Sequence, residues 1–344
     1  MIAPTKMPRA AAQVALILAL MLPASAAETC FSAGEMQGNT RGVLEAAARF
    51  HYDLFVKGNS AVLRQNAMPA MAREFTAIES AVQQHSAKLA GVLPTVRASY
   101  LLETDGNQPE GRANFYCGAY RTPEWVGFFL SSIEAGRYAI VIFDVAATSG
   151  PMTFSVVLQQ EWASVVGNTG VSNKPESWRL AGLYIKPART LGHNSDWFLE
   201  QARAYKAKQQ NRNAWFYYLA ARDLLAPLPF MGTPTLDALF DEQKQVQPAE
   251  LPYEKPLTLP ASGRTYKITS VFAVPGDEGL LLVLKYEAES VADNAKADAA
   301  NQALSRAFLT RYPEYKQAFA GIVARGVEPS GKDFGSLLMM KDVK

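Results

Sequence analysis

Histidine and cysteine, the residues most often used for metal binding and nucleophilic chemistry, are scarce in this chain. Its three histidines, His51, His85 and His193, lie too far apart in sequence for the short His and Cys spacings of zinc sites. The sequence also lacks the Gly-x-Ser-x-Gly elbow of serine hydrolases and the glycine-rich loops that hold phosphates. It therefore predicts no catalytic residue, no metal ligand and no cofactor.

The two cysteines, Cys30 and Cys117, are the only pair available for a disulfide. In an oxidising compartment a lone pair of cysteines is most simply a disulfide bond, and in a reducing one it is two buried thiols. The sequence favours the disulfide because, as described below, the chain begins with an export signal. The bond would tie the start of the mature chain to an internal segment.

Aromatic residues concentrate in the middle of the first half of the chain and suggest an apolar pocket. A pocket for a small apolar ligand would be lined by these residues and one histidine: His51, Tyr116, Trp125, Trp162 and Trp178. A curved sheet also needs bulky side chains to fill its interior. The sequence favours this second interpretation, in which the same residues form the core.

Residues 1–26 have the three parts of a secretory signal peptide. Lys6 and Arg9 precede the apolar run Val14–Leu22, and Ala24-Ser25-Ala26 fits a signal peptidase site before Ala27. We therefore expect a periplasmic or secreted protein with no membrane span after cleavage, because no later stretch is long and apolar enough. Removing the signal leaves equal numbers of basic and acidic residues, which argues against nucleic-acid binding.

The patterns beyond the signal predict an α+β protein with three parts. Residues 27–187 read as helices packed under a curved mixed or antiparallel sheet, residues 193–247 as a helical hairpin, and residues 248–344 as a two-layer α+β unit. His85 falls on the apolar face of the third helix, which predicts a satisfied core histidine. In the last part, the helix that begins near Ala292 is expected to resume after Pro313 and to include Val323.

The order of elements in residues 40–187 resembles the cone-shaped fold of the nuclear-transport-factor-like superfamily. The closest local likeness is the alternating segment 176–187, which is similar to the last strand of secreted cone domains. The superfamily includes isomerases and dehydratases that place an Asp or His inside the cone, and the inward candidates here are His51, His85 and Asp144. It also includes binders and scaffolds, so the resemblance does not assign a function.

Residues 195–228 resemble one tetratricopeptide unit, a helix hairpin that alternates small and large residues. The matching positions are Phe198, Ala202, Tyr205, Ala214, Tyr218 and Ala221. A single unit has no stacking neighbour, so the hairpin is expected to be a connector buried against a flanking domain, with Tyr205 and Tyr218 in contact. The alternative is an exposed docking surface for a protein partner.

Taken together, these features predict an exported, non-enzymatic binding or scaffold protein. Its ligand would be a small apolar molecule in the cone or a protein partner at the hairpin, and the oligomeric state stays open. The alternative is a cone-fold enzyme of the isomerase or hydrolase type. A histidine or aspartate with a shifted pKa in an open pocket would favour the enzyme.

Overall fold

A computed structural model describes residues 28–104, 112–119, 122–131, 133–161, 177–252 and 255–343. The predicted signal peptide, residues 1–26, and Trp162 lie outside the described residues. Within them the fold is α+β, as the sequence predicts. No helix in these ranges is long and apolar enough to cross a membrane.

The first half of the chain contains four helices and seven strands in its described ranges. The elements are β1 (Thr29–Ser32), α1 (Thr40–Val56), α2 (Ser60–Gln65), α3 (Pro69–Arg73), α4 (Thr76–Leu89), β2 (Thr95–Thr104), β3 (Arg112–Cys117), β4 (Val126–Ser131), β5 (Gly136–Ala147), β6 (Gly150–Glu161) and β7 (Ser177–Pro187). Asn59 caps α2 by accepting a hydrogen bond from the Val62 amide. Pro69 starts α3, where its missing N–H costs nothing.

Five of these strands form one antiparallel sheet with the order β1-β2-β5-β6-β7. Helices α1 and α4 cover one face of this sheet, as predicted. Tyr52 and Phe55 of α1 pack edge-on against Phe154 of β6, with ring centroids 5.0 and 5.2 Å apart. The apolar residues of α1 recur at intervals of three and four, which places them on this buried face.

The other face of the sheet is covered by a small second sheet with the order β3-β4-β8, where β8 is Met231–Gly232 from the second half of the chain. The sequence predicts a single sheet in residues 27–187, which would include β3. The structure differs because the alternation of a strand does not identify the strand with which it pairs. Phe115 and Phe128 of the small sheet pack with Ile140 of β5. The central strands are therefore buried on both faces.

The second half contains the remaining helices and strands. They are α5 (Ser195–Ala207), α6 (Asn211–Leu225), α7 (Pro234–Lys244), β9 (Leu257–Ala261), β10 (Arg264–Pro275), β11 (Leu280–Glu287), α8 (Asn294–Arg311), β12 (Gly321–Val327) and β13 (Asp333–Met339). The sheet order is β13-β12-β11-β10-β9, and only β11 and β12 are parallel among its pairs. The expected helix through Val323 is wrong: a 3-10 turn at Pro313–Gln317 ends it, and strand β12 follows.

The helical hairpin α5–α6 shares one hydrophobic core with the C-terminal sheet and α8. The Tyr217 hydroxyl donates to the Ala318 carbonyl at 2.8 Å, and the Asn213 amide donates to the Glu314 carbonyl at 2.8 Å. Tyr205 packs against Tyr217, with ring centroids 5.0 Å apart. The expected ring contact of Tyr205 was with the next residue, Tyr218. The hairpin is thus packed against a flanking unit.

A disulfide joins Cys30 of β1 to Cys117 of β3, with the two Cα atoms 4.9 Å apart. This confirms the predicted pairing. The bond links the edge of the main sheet to the small sheet across a sequence separation of 87 residues. In the entropic description of disulfides, a bond that closes a loop of this length stabilises a fold by about 4 kcal/mol.

The buried position of Tyr218 predicts a large cost for its truncation. Its side chain is fully buried, and its hydroxyl contacts the Glu242 carboxylate at 3.0 Å. We expect Tyr218→Ala to lower the free energy of unfolding by about 3 kcal/mol or more, measured by denaturant titration. Leu219→Ala is the control because Leu219 is 37% exposed, and it should cost far less. Equal stabilities of the two variants would contradict the buried hairpin.

Candidate functional site

The residues of the predicted apolar pocket lie in two separate places. His51 of α1 and Trp178 of β7 are buried between the helices and the main sheet. Tyr116 and Trp125 lie together on the small sheet, with ring centroids 5.9 Å apart. Trp162, the fifth residue, lies outside the described ranges. The described members of the set therefore do not line one cavity.

His51 is buried in apolar surroundings, and its side chain is only 1% exposed. Burial lowers the pKa of its imidazole to about 4, and a hydrogen bond with the Trp178 backbone only partly opposes this effect. His51 is therefore neutral near pH 7. Its Nδ1 atom and the Trp178 indole nitrogen have no hydrogen-bond partner among the described residues.

The other inward candidates of the cone have different environments. Asp144 lies on the outside of the sheet, where its half-exposed carboxylate pairs with Arg97. His85 lies on α4, as predicted, but it is not a satisfied core residue. Its buried Nδ1 has no hydrogen-bond partner in the part of the chain that the structure describes, and its ring lines a cavity. Burial and the nearby Lys88 charge lower the pKa of His85.

Tyr116 and Phe129 form an aromatic surface on the small sheet, with ring centroids 6.0 Å apart. The two side chains are 38% and 39% exposed. Gly127 lies beneath these rings: a Cβ there would come within 2.7 Å of the Trp125 ring and 2.9 Å of the Phe129 ring. The adjacent Cys117 disulfide fixes the strand that carries Tyr116.

A cavity of about 490 Å³, the junction pocket, lies where the first half of the chain meets the hairpin. Its lining comes from the end of α4, the turn between β5 and β6, and the connector between β7 and α5. The lining residues are His85, Lys88, Ser149, Gly150, Pro151, Met152, Pro187, Arg189, Leu191 and Gly192. Its volume falls in the range of small-molecule sites, which often occur between units.

Backbone hydrogen bonds hold the three lining segments together. The amide and hydroxyl of Thr148 in the β5–β6 turn donate to the Lys88 carbonyl at 3.3 and 3.2 Å. The Ala188 amide of the connector donates to the Pro151 carbonyl at 2.9 Å. The lining is therefore pre-organised by the fold.

A tight turn completes the connector. The amides of Thr190 and His193 each donate to the other's carbonyl at 2.9 Å, with Leu191 and Gly192 between them. Leu191 has a φ of 54° and Gly192 a φ of 78°, both in the left-handed region. That region is unfavourable for a leucine, so the packing of Leu191 against the hairpin core must offset the strain.

The lining of the junction pocket combines two basic side chains with an apolar part. Lys88 and Arg189 supply the positive charge, and neither forms an ion pair with a described residue. The described lining contains no Asp or Glu. Met152 and Leu191 form much of the apolar part, together with Pro151 and Pro187. Such a lining matches a ligand with a negative end.

A larger cavity of about 630 Å³ lies at the end of the C-terminal sheet and has a mixed lining. Lys267 and Glu287, which line it, pair with each other at 3.5 Å, and Glu289 and Glu328 add further acids. Within the described ranges no group of three or more His, Cys, Asp or Glu residues could hold a metal ion. Because acidic and basic residues both line this cavity, its charge indicates a class of ligand less clearly than the charge of the junction pocket does.

Comparison of the chain with protein-family models, with curated proteins and with solved structures found no match.

Sequence reasoning did not find the junction pocket, because its residues come from three distant segments. Two local features of the sequence hint at this pocket. The first is that His85 and Lys88 are three residues apart and share a helix face. The second signal is Arg189 immediately before a Leu-Gly turn, but nothing in the sequence brings that turn to α4.

The buried His51 predicts a loss of stability in acid. Its folded pKa of about 4 lies below the ordinary 6.5, so the unfolded chain binds the proton more readily. This contribution is complete above about pH 6.5 and is lost as the pH falls towards 4. Over that window we expect His51 to lower the free energy of unfolding by up to about 1.4 kcal/mol per pH unit.

Denaturant titrations at several pH values measure this slope. His51→Gln should flatten the slope by that amount, because glutamine does not titrate. His193→Gln is the control and should keep the slope of the unmodified chain, since His51 is still present. A slope that is the same with and without His51 would show that this histidine is accessible to protons in the folded state.

Proposed function

We propose that this chain is an exported, non-enzymatic binding protein that holds a small ligand in the junction pocket. The observation that carries the proposal is the pocket itself, a pre-organised cavity lined by three segments where two units meet. Its size suits a small molecule. The two unpaired cations in its lining give it a definite chemical preference.

The interior between the helices and the main sheet supports this choice over an apolar site in the cone. Tyr52, Phe55, Phe143 and Phe154 fill that interior and are at most 1% exposed. Their rings contact one another at centroid distances between 5.0 and 6.1 Å. An apolar ligand there would have to displace close-packed side chains, which is costly.

A cone-fold enzyme of the isomerase or hydrolase type is the second candidate, and two observations favour it. His85 has a lowered pKa and lines a cavity, although this cavity lies at the end of the sheet and not inside the cone. His51 has a strongly lowered pKa and an unpartnered Nδ1, and titratable groups of this kind cluster at catalytic sites. A general base must also reach a substrate. The 1% exposure of His51 therefore supports the binding protein over the enzyme.

We also propose the two family relationships that the sequence suggests. Four helices followed by four strands of one antiparallel sheet, β2, β5, β6 and β7, support kinship of residues 40–187 with the nuclear-transport-factor-like cone. The antiparallel pair α5–α6, with Phe198, Ala202 and Ala214 buried between its helices and the C-terminal unit, supports kinship with a tetratricopeptide unit. Neither relationship would assign the ligand.

Export is supported by the disulfide and by the signal-like N-terminus. We expect N-terminal sequencing of the protein recovered from the periplasm or medium to begin Ala-Glu-Thr-Cys. The same sequencing of protein retained in the cytoplasm provides the control. Exported protein that still carried residues 1–26 would contradict cleavage before Ala27.

The ligand site can be located by NMR with a fragment panel that contains anionic, neutral and cationic members. Bound fragments should shift the amide signals of Gly150 and Gly192, while the Trp178 indole signal stays unchanged because that residue lies in the core. Ser149→Trp should abolish these shifts by filling the pocket, and Ser131→Trp on β4 is the matched control. Shifts centred on Trp178 and His51 would instead favour the cone enzyme.

A further inference from the structure

We infer that the junction pocket selects a small organic anion, with a carboxylate head and an apolar body. This inference rests on the proposed function and adds the chemical class of the ligand. The head would lie between Lys88 and Arg189, and the body would lie against Met152 and Leu191. No residue of the predicted apolar pocket takes part.

The charge of the lining carries the first step. Lys88 and Arg189 approach the pocket from α4 and from the connector, and both lack a carboxylate partner in the described ranges. A carboxylate that neutralises the cation, as Glu242 does for Arg203, is absent from the described lining of this pocket. A guanidinium binds a carboxylate with two parallel hydrogen bonds, so Arg189 suits the head group.

The apolar part of the pocket carries the second step. Met152 is 7% exposed and belongs to the core of the first half, whereas Leu191 packs against the core of the second half. Pro151 and Pro187 extend this surface. An inorganic anion would leave this apolar surface in contact with water, whereas the aliphatic chain of an organic anion would bury it, which favours binding.

His85 makes the binding depend on pH. The charged groups that face it are Lys88 on its own helix and Arg189 on the connector, and the turn 148–152 contributes the Ser149 hydroxyl but no charged group. Burial and the Lys88 charge lower the pKa of His85 when no ligand is bound, so they disfavour a proton on its imidazole. A bound carboxylate offsets that cationic field, so proton uptake and anion binding reinforce each other.

Isothermal titration calorimetry on the mature chain tests the inference with hexanoate, hexanol and inorganic phosphate. We expect hexanoate to bind and the other two probes to bind at least tenfold more weakly. The double variant Lys88→Gln, Arg189→Gln should weaken hexanoate binding about tenfold or more. The control is Lys57→Gln, Arg73→Gln, which removes the same charges from exposed positions just after α1 and on α3 and should leave binding unchanged.

A second arm varies the pH. Between about pH 8 and about pH 5.5 hexanoate stays ionised. Because the bound carboxylate favours the proton on His85, the affinity should rise as the pH falls. His85→Gln should remove this rise and keep the affinity seen at the higher pH. A rise that persists in His85→Gln would overturn the role given to His85.

The outcomes separate this inference from the function on which it rests. If hexanol bound as tightly as hexanoate and Ser149→Trp blocked both, the preference for an anion would be wrong. The junction pocket would still be a binding site. If phosphate bound as tightly as hexanoate, the claim that the ligand has an apolar body would be wrong. Equal hexanoate affinity in the charge variant and its control would overturn the roles of Lys88 and Arg189. Absence of binding by every fragment in the NMR panel would overturn the proposed function itself.

Discussion

Burial of strands β5 and β6 on both faces is the constraint from which the rest of the first half follows. Along β5, Ala139, Val141 and Phe143 point into the core beneath the helices, while Ile140 and Ile142 point into the core beneath the small sheet. Strands of this kind need cover on each side. Helices α1 and α4 provide it on one face, and β3 and β4 provide it on the other.

This double cover leaves the ends of the strands as the places where a ligand can reach the sheet. At one end the β5–β6 turn meets the last turn of α4 and the exit of β7, and the junction pocket forms there. The second half of the chain closes the site, because the connector leads directly into the hairpin. Strand β8 then returns to pair with β4, and Lys186 of β7 pairs with Asp223 of α6 at 2.6 Å. The two halves are thus joined by these contacts as well as by the connector.

Local patterns in the sequence were enough to predict the fold class, helix α1 and the disulfide. The spacing of apolar residues gives α1, and a lone pair of cysteines has one pairing. Strand β12 was predicted as helix because a short apolar run such as Ile322-Val323 fits both structures, and only its pairing with β11 decides. Which strands pair decides how the aromatic set is divided between two places in the fold. It also decides that Lys88 and Arg189 line the same pocket. Sequence periodicity carries no information on that choice.

A crystal structure of the mature chain grown with hexanoate tests the central claim most directly. The account predicts electron density for the ligand in the junction pocket, with its carboxylate within hydrogen-bond distance of Arg189 and its chain against Met152 and Leu191. It also predicts that Tyr52 and Phe154 keep their packing in the core. Density for hexanoate beside His51 and Trp178, with those core aromatics displaced, would contradict the account and favour an active site inside the cone.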